Sequence, residues 1–226
     1  MNNFKGILFL YFLLLNINLM AQDKISYLAL GDSYTIGEAV DIDQTWPNVL
    51  TSTLKKEGIN IELEKIVAKT GWTTDELLNA INEDNGLDTA KYDLVSLLIG
   101  VNNQYRGYGI EQYKEEFELL LQRAISLAGK KVSRVFVVSI PDYGVTTFAK
   151  ENNKNEALIA KELYEYNSIA RNISDRYGVK FFDITPISLN AIWDEDLIAK
   201  DKLHPSEKMY VGWSEYIAPG VYQLLK

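Results

Sequence analysis

The stretch Tyr27–Glu38, YLALGDSYTIGE, runs apolar and then stops at Gly-Asp-Ser, which puts the Ser33 hydroxyl just past a buried-looking segment. A serine hydroxyl attacks a carbonyl only when a base removes its proton. The sequence supplies one histidine, His204, in KDKLHPSEK, with Asp201 three residues before it. Residues three apart on a turn can face the same side. Asp201 can then accept the imidazole Nδ1–H, fix the tautomer and leave the Nε2 lone pair for Ser33. Pro205 suits a first helical position and so sets His204 at a helix start. Each piece alone has a plainer reading: Gly-Asp-Ser ends many turns, a lone histidine usually sits on a surface, and an Asp–His pair can be a surface contact. Together they are nucleophile, base and orienting acid, and the chemistry they can do is acyl transfer.

Acyl transfer also needs donors aimed at the oxyanion, each worth about 3 kcal/mol of transition-state stabilisation. AKTGWTTDEL contains Gly71, whose backbone N–H can approach a ligand closely. LLIGVNNQYRG contains Gly100, Asn102 and Asn103. An asparagine amide donates without adding charge, so the expected oxyanion hole is the Ser33 N–H, the Gly71 N–H and the Asn102 side chain. Asn103 reads better as a turn cap. Of the loop aromatics Tyr34, Trp72, Tyr105, Tyr108, Tyr143 and Trp193, we single out Tyr34, Trp72, Tyr105 and Tyr143 as candidates to line a substrate pocket, although packing explains most of the set. VDID at 40–43 lacks the glycine and later glutamate of a calcium loop, and GYG at 107–109 lacks the lysine of a phosphate loop. Neither a metal nor a cofactor is expected.

The elements that must position these groups alternate. Apolar runs at 25–30, 60–67, 92–100, 132–140 and 179–184 read as strands. Helical patterns cover 45–57, with Thr45 as N-cap, then a segment opened by a Thr73–Glu76 capping box, then 112–129 and 156–177. In the last of these, Leu158, Leu163, Tyr166 and Ile169 form the apolar face. A final helix over 205–225 breaks at Pro219. Strands alternating with helices predict an α/β sandwich around a parallel sheet, with ligand chemistry at the carboxyl ends of the strands. Ser33, Gly71 and Asn102 follow the first three strands.

The chain has 226 residues, 47% hydrophobic and 24% charged, with a net charge of -8. That is enough for one sizeable core. Basic residues form nothing larger than local pairs such as Lys55-Lys56 and Lys130-Lys131, which argues against nucleic acid as a partner. There is no cysteine, so stability comes from the core and thiol chemistry is excluded. Residues 1–21 carry Lys5, the apolar run Ile7–Leu15 and the small residue Ala21, the pattern of a cleaved secretory signal. A membrane anchor needs about 20 apolar residues, and Asn16 and Asn18 interrupt this run. The expectation is a single domain over 22–226, secreted or periplasmic, with no stable membrane insertion once the signal is removed.

The four stretches GDSYTIGE, TGWTTDEL, IGVNN and DKLHP, in that order, resemble the blocks of the GDSL/SGNH hydrolase family. The resemblance spans 31–205 and matches Ser33 to the nucleophile, Gly71 and Asn102 to the oxyanion donors, and Asp201 and His204 to the acid and base. Two positions depart: Tyr34 stands for the usual Leu, and Asn103 for a common Asp that shapes a loop. The family implies a flavodoxin-like three-layer α/β/α sandwich, strand order 2-1-3-4-5, and metal-free hydrolysis of carboxylic esters. It includes lipases, lysophospholipases, thioesterases and carbohydrate deacetylases, so the substrate is a small-molecule ester, a lipid or an acylated sugar. The absence of a long apolar lid insertion leans towards short esters. Because the neutral imidazole is needed, activity should fall below about pH 6 to 7. A non-catalytic carbohydrate-binding module and an acyltransferase on the same scaffold are the competing readings, the first separable by Ser33→Ala.

Overall fold

The computed structural model describes residues 23–87 and 89–226. The expected signal at 1–21 lies outside them. Five strands, β1 (Ile25–Gly31), β2 (Ile61–Ala68), β3 (Leu94–Leu98), β4 (Val135–Val138) and β5 (Lys180–Phe182), pair in parallel in the order β2-β1-β3-β4-β5. The helices are α1 (Ser33–Ile36), α2 (Trp46–Lys56), α3 (Thr74–Glu83), α4 (Val101–Tyr105), α5 (Ile110–Leu127), α6 (Thr147–Glu151), α7 (Glu156–Tyr177), α8 (Thr185–Ser188) and α9 (Glu207–Leu225). α2 packs against α9, while α5 packs against α3 and α7. The result is the expected three-layer sandwich.

Every residue of β3 is buried, as its unbroken apolar run requires of a central parallel strand. β2 is an edge strand and alternates instead. Its alternation slips at Glu64: Tyr27 pairs with Leu63 but Leu28 pairs with Lys65. Ile61 and Val67 are the buried residues of β2, with Leu63 half-buried between them. β4 begins later than expected, because residues 132–134 form a 3₁₀ turn closed by the Arg134 N–H on Lys131 O at 2.9 Å.

Helix ends follow local chemistry. The Thr73–Glu76 capping box forms, with the Thr73 N–H donating to Glu76 Oε2 at 2.9 Å. Thr45 holds the N-cap position of α2, but its hydroxyl donates backwards to Ile42 O, so it does not cap through its side chain. In α7 the buried face is Ile159, Leu163, Tyr166, Ala170 and Ile173. Leu158 lies one residue out of phase with that face and is exposed, which corrects the expected set. Pro219 does not break α9. Its residue is exposed, so the Glu215 carbonyl it leaves without a donor can meet water. Trp213, Ile217 and Val221 meanwhile hold both halves of the helix on the core.

Candidate active site

β1 ends at Gly31, where a Cβ would lie 2.2 Å from Thr35 Oγ1 and 2.4 Å from Leu98 O. Only glycine lets the chain turn this tightly beside β3. Asp32 follows, fully buried, and caps α1 by accepting the Tyr34 N–H at 3.0 Å. Burial pushes its carboxyl up to about 7, against the downward pull of the Tyr34, Asp32 and Gly100 N–H groups. Ser33 is then the first residue of α1, nearly buried.

His204 comes from the opposite end of the chain. Its Nδ1 lies 2.5 Å from Asp201 Oδ2. An ionised carboxylate only accepts, so this contact favours the Nδ1–H tautomer. Asp201 Oδ1 accepts the backbone N–H groups of Leu203 and His204, each at 3.0 Å. Burial alone would raise the Asp201 carboxyl; the His204 ring and these two N–H groups outweigh it and hold the carboxyl below its ordinary value. The histidine does not open a helix as the sequence predicts. Pro205 is bridged antiparallel to Ile198, and Ser206 caps α9 two residues later than expected. The ring instead sits in a loop pinned by Ala199 N–H on His204 O and Ser206 N–H on Leu197 O, both at 2.8 Å.

The other two loops are laced together. Asn102, in α4, donates from Nδ2 to Trp72 O at 3.0 Å, which leaves its second amide hydrogen for a ligand. Gly71 has φ 87°, the left-handed region that glycine tolerates. Arg106 Nη2 donates to Gly71 O at 2.6 Å. Asn103 is fully buried; it accepts the Thr74 N–H at 3.0 Å and donates to Thr74 Oγ1 at 2.6 Å. It shapes the loops by joining α4 to the start of α3.

Ser33, Asn102 and His204 line one cleft of about 200 Å³, together with Tyr34, Val101, Tyr105, Tyr143, Phe148 and Leu203. The imidazole is not turned out to solvent: His204 is 8% exposed, and the Tyr34 ring stands edge-on to it at 5.7 Å. Among the described residues Ser33 Oγ makes no hydrogen bond; catalytic hydrogen bonds are often long before substrate binds. Of the expected pocket aromatics, Tyr34, Tyr105 and Tyr143 border the cleft. Trp72 does not; it is half-buried and packs against the core. Gly71 also lies outside the lining, and Trp193 is 88% exposed away from it. Val101, Phe148 and Leu203 also line the cleft and carry no motif signal of their own in the sequence. Val101 and Leu203 adjoin motif residues, and Phe148 lies in α6, on the segment that follows β4. Among the described residues no cluster of three or more His, Asp or Glu side chains is placed to hold a metal, and no helix is long and apolar enough to cross a membrane.

A family model described as GDSL-like Lipase/Acylhydrolase matches residues 29–211. No curated protein matches the chain. Solved structures with a similar fold include the psychrotrophic esterase EstA from Pseudoalteromonas sp., 17% identical over 89% of this chain and 98% of its own, with a TM-score of 0.67. The lipase/acylhydrolase from Enterococcus faecalis is 16% identical over 89% and 97%, with a TM-score of 0.67. The family 3 carbohydrate esterase of Clostridium thermocellum is 19% identical over 90% and 100%, also at 0.67. At these identities the likeness speaks to the fold.

Proposed function

The chain belongs to the GDSL-like lipase/acylhydrolase family and is a carboxylic ester hydrolase, and on that premise we propose that it works through an acyl-enzyme on Ser33. His204 removes the Ser33 proton as Oγ attacks the ester carbonyl. The oxyanion is held by the Ser33 and Gly71 N–H groups and the Asn102 amide. His204 then gives its proton to the departing alcohol. Water, activated by the same ring, releases the acid and restores Ser33. Asp201 stays ionised throughout and orients the imidazole. The observation that carries this reading is the shared cleft: Ser33, Asn102 and His204 border one space, with Asp201 bonded to the far nitrogen of the ring.

Ser33→Ala tests it. Hydrolysis of nitrophenyl acetate should fall by about 10⁴-fold or more, and labelling by an active-serine phosphonate should vanish. Survival of either would remove Ser33 from the mechanism. We further propose that residues 1–21 direct export to the periplasm or medium, and that the substrate is a small ester, a lipid or an acylated sugar.

A further inference from the structure

The placement of the base decides which half of an ester lies where. His204 must reach the leaving oxygen as well as Ser33, so the alcohol lies on the side of His204 and Leu203. Of the rings in the lining, Tyr34 stands against His204 while Tyr105 stands against Tyr143, so the second group, with Val101, is the wall left for the acyl group. The surface met there is an aliphatic side chain and two aromatic rings, which suits an alkyl group.

That end of the cleft is fixed from behind. Tyr143 is nearly buried, and its hydroxyl donates to Gln104 Oε1 at 3.0 Å. Gln104 in turn donates from Nε2 to Glu162 Oε2 at 2.6 Å, which anchors the wall to α7. The Tyr105 ring stands edge-on to Tyr143 with centroids 6.0 Å apart, and Lys154 Nζ sits 4.6 Å from the Tyr105 centroid. An aromatic edge contact and a cation over the ring both favour this position. The cleft's volume of about 200 Å³ is below the roughly 300–1,000 Å³ of pockets that take drug-sized ligands. Tyr105 is nevertheless 48% exposed. Its outer edge faces water, so removing the ring opens the cleft outward and leaves no sealed void.

We infer that Tyr105 sets acyl-chain length: its ring closes the acyl end of the cleft and restricts the enzyme to short acyl esters. The inference rests on the proposed reaction at Ser33 and deepens it. The test compares wild type, Tyr105→Ala and Tyr105→Trp on nitrophenyl acetate, butyrate and octanoate, with phosphonate labelling of Ser33 to count competent sites. Wild type should prefer acetate and butyrate. Tyr105→Ala should raise the octanoate-to-acetate ratio of kcat/KM by about tenfold or more, since each methylene admitted to an apolar site is worth roughly fourfold. Tyr105→Trp should lower the butyrate-to-acetate ratio. If the alanine variant does not fold, Tyr105→Leu should shift the ratio in the same direction as alanine. Ratios unchanged in the variants, or a wild type that prefers octanoate, overturn the inference while labelled Ser33 leaves the underlying reaction standing. A wild type whose Ser33 is not labelled overturns the reaction itself, and the inference with it.

Discussion

Asp32 sits beside the proposed nucleophile and takes no part in the proposed chemistry, yet it shapes how stability responds to pH. Its carboxyl is raised from 3.8 to about 7 by burial. A carboxyl whose folded value lies above its unfolded one holds its proton more tightly in the fold. Its contribution to stability is therefore complete below about pH 4 and is lost as the pH rises to about 7, by on the order of 4 kcal/mol. Asp201 works in the opposite sense: its lowered carboxyl stabilises the fold above its unfolded value, and that contribution fades only as the pH falls below about 4. The two windows are separate. Asp32→Asn keeps an acceptor for the Tyr34 N–H but cannot ionise, so the slope of stability between pH 4 and 7 should flatten in urea titrations. An unchanged slope would show that another group carries it. Ser33, Asp201 and His204 stand out as candidates in the sequence because few residue types suit the proposed chemistry and the chain has one histidine. The burial of Asp32 could not, because an aspartate after glycine looks the same whether it caps a turn in water or in the core.

At the scale of elements, the loops after β2 and β3 act as one piece. Asn102 holds Trp72 O, Asn103 holds Thr74, and Arg106 holds Gly71 O while its Nη1 lies 3.4 Å from Glu76. Glu76 is itself fixed by the α3 capping box. Arg106→Ala should loosen the Gly71 peptide. We expect kcat to fall about tenfold with KM nearly unchanged, about 1.4 kcal/mol of transition-state stabilisation. The thermal midpoint should barely move, because Arg106 is exposed. A rise in KM at constant kcat would instead place Arg106 in substrate binding. Strands and long helices were readable here because burial imposes a period, and the Thr73 box because its two members lie three residues apart. The misses have equally local causes. The short helix α4 is too brief to show a period. In α7 Leu163 and Tyr166 lie on the buried face as expected, but the apolar Leu158 is exposed while Ile159 beside it is buried. Pro205 looked like a helix opener but serves a bridge to Ile198, a partner that periodicity cannot reveal.

For the whole molecule, the strand order explains why residues so far apart in sequence share a cleft. The chain leaves β1 for β2 on one side and returns to β3 on the other, so β1 and β3 flank the point where the winding reverses. Ser33 leaves the end of β1 and Asn102 the end of β3. Alternating apolar runs predicted a parallel sheet, but its order came only through the family resemblance, because periodicity says nothing about neighbours. On the proposal of export, protein recovered from outside the cytoplasm should begin at Gln22 when sequenced from its N-terminus. A chain found intact from Met1, still in the cytoplasm, would refute it.

The 2.5 Å contact between Asp201 and the ring of His204 has a spectroscopic consequence. A proton donated across so short a span resonates far downfield in a magnetic resonance spectrum, clear of the amides. Because the chain contains one imidazole, that line would need no assignment, and its shift on adding a phosphonate would report on the proposed base.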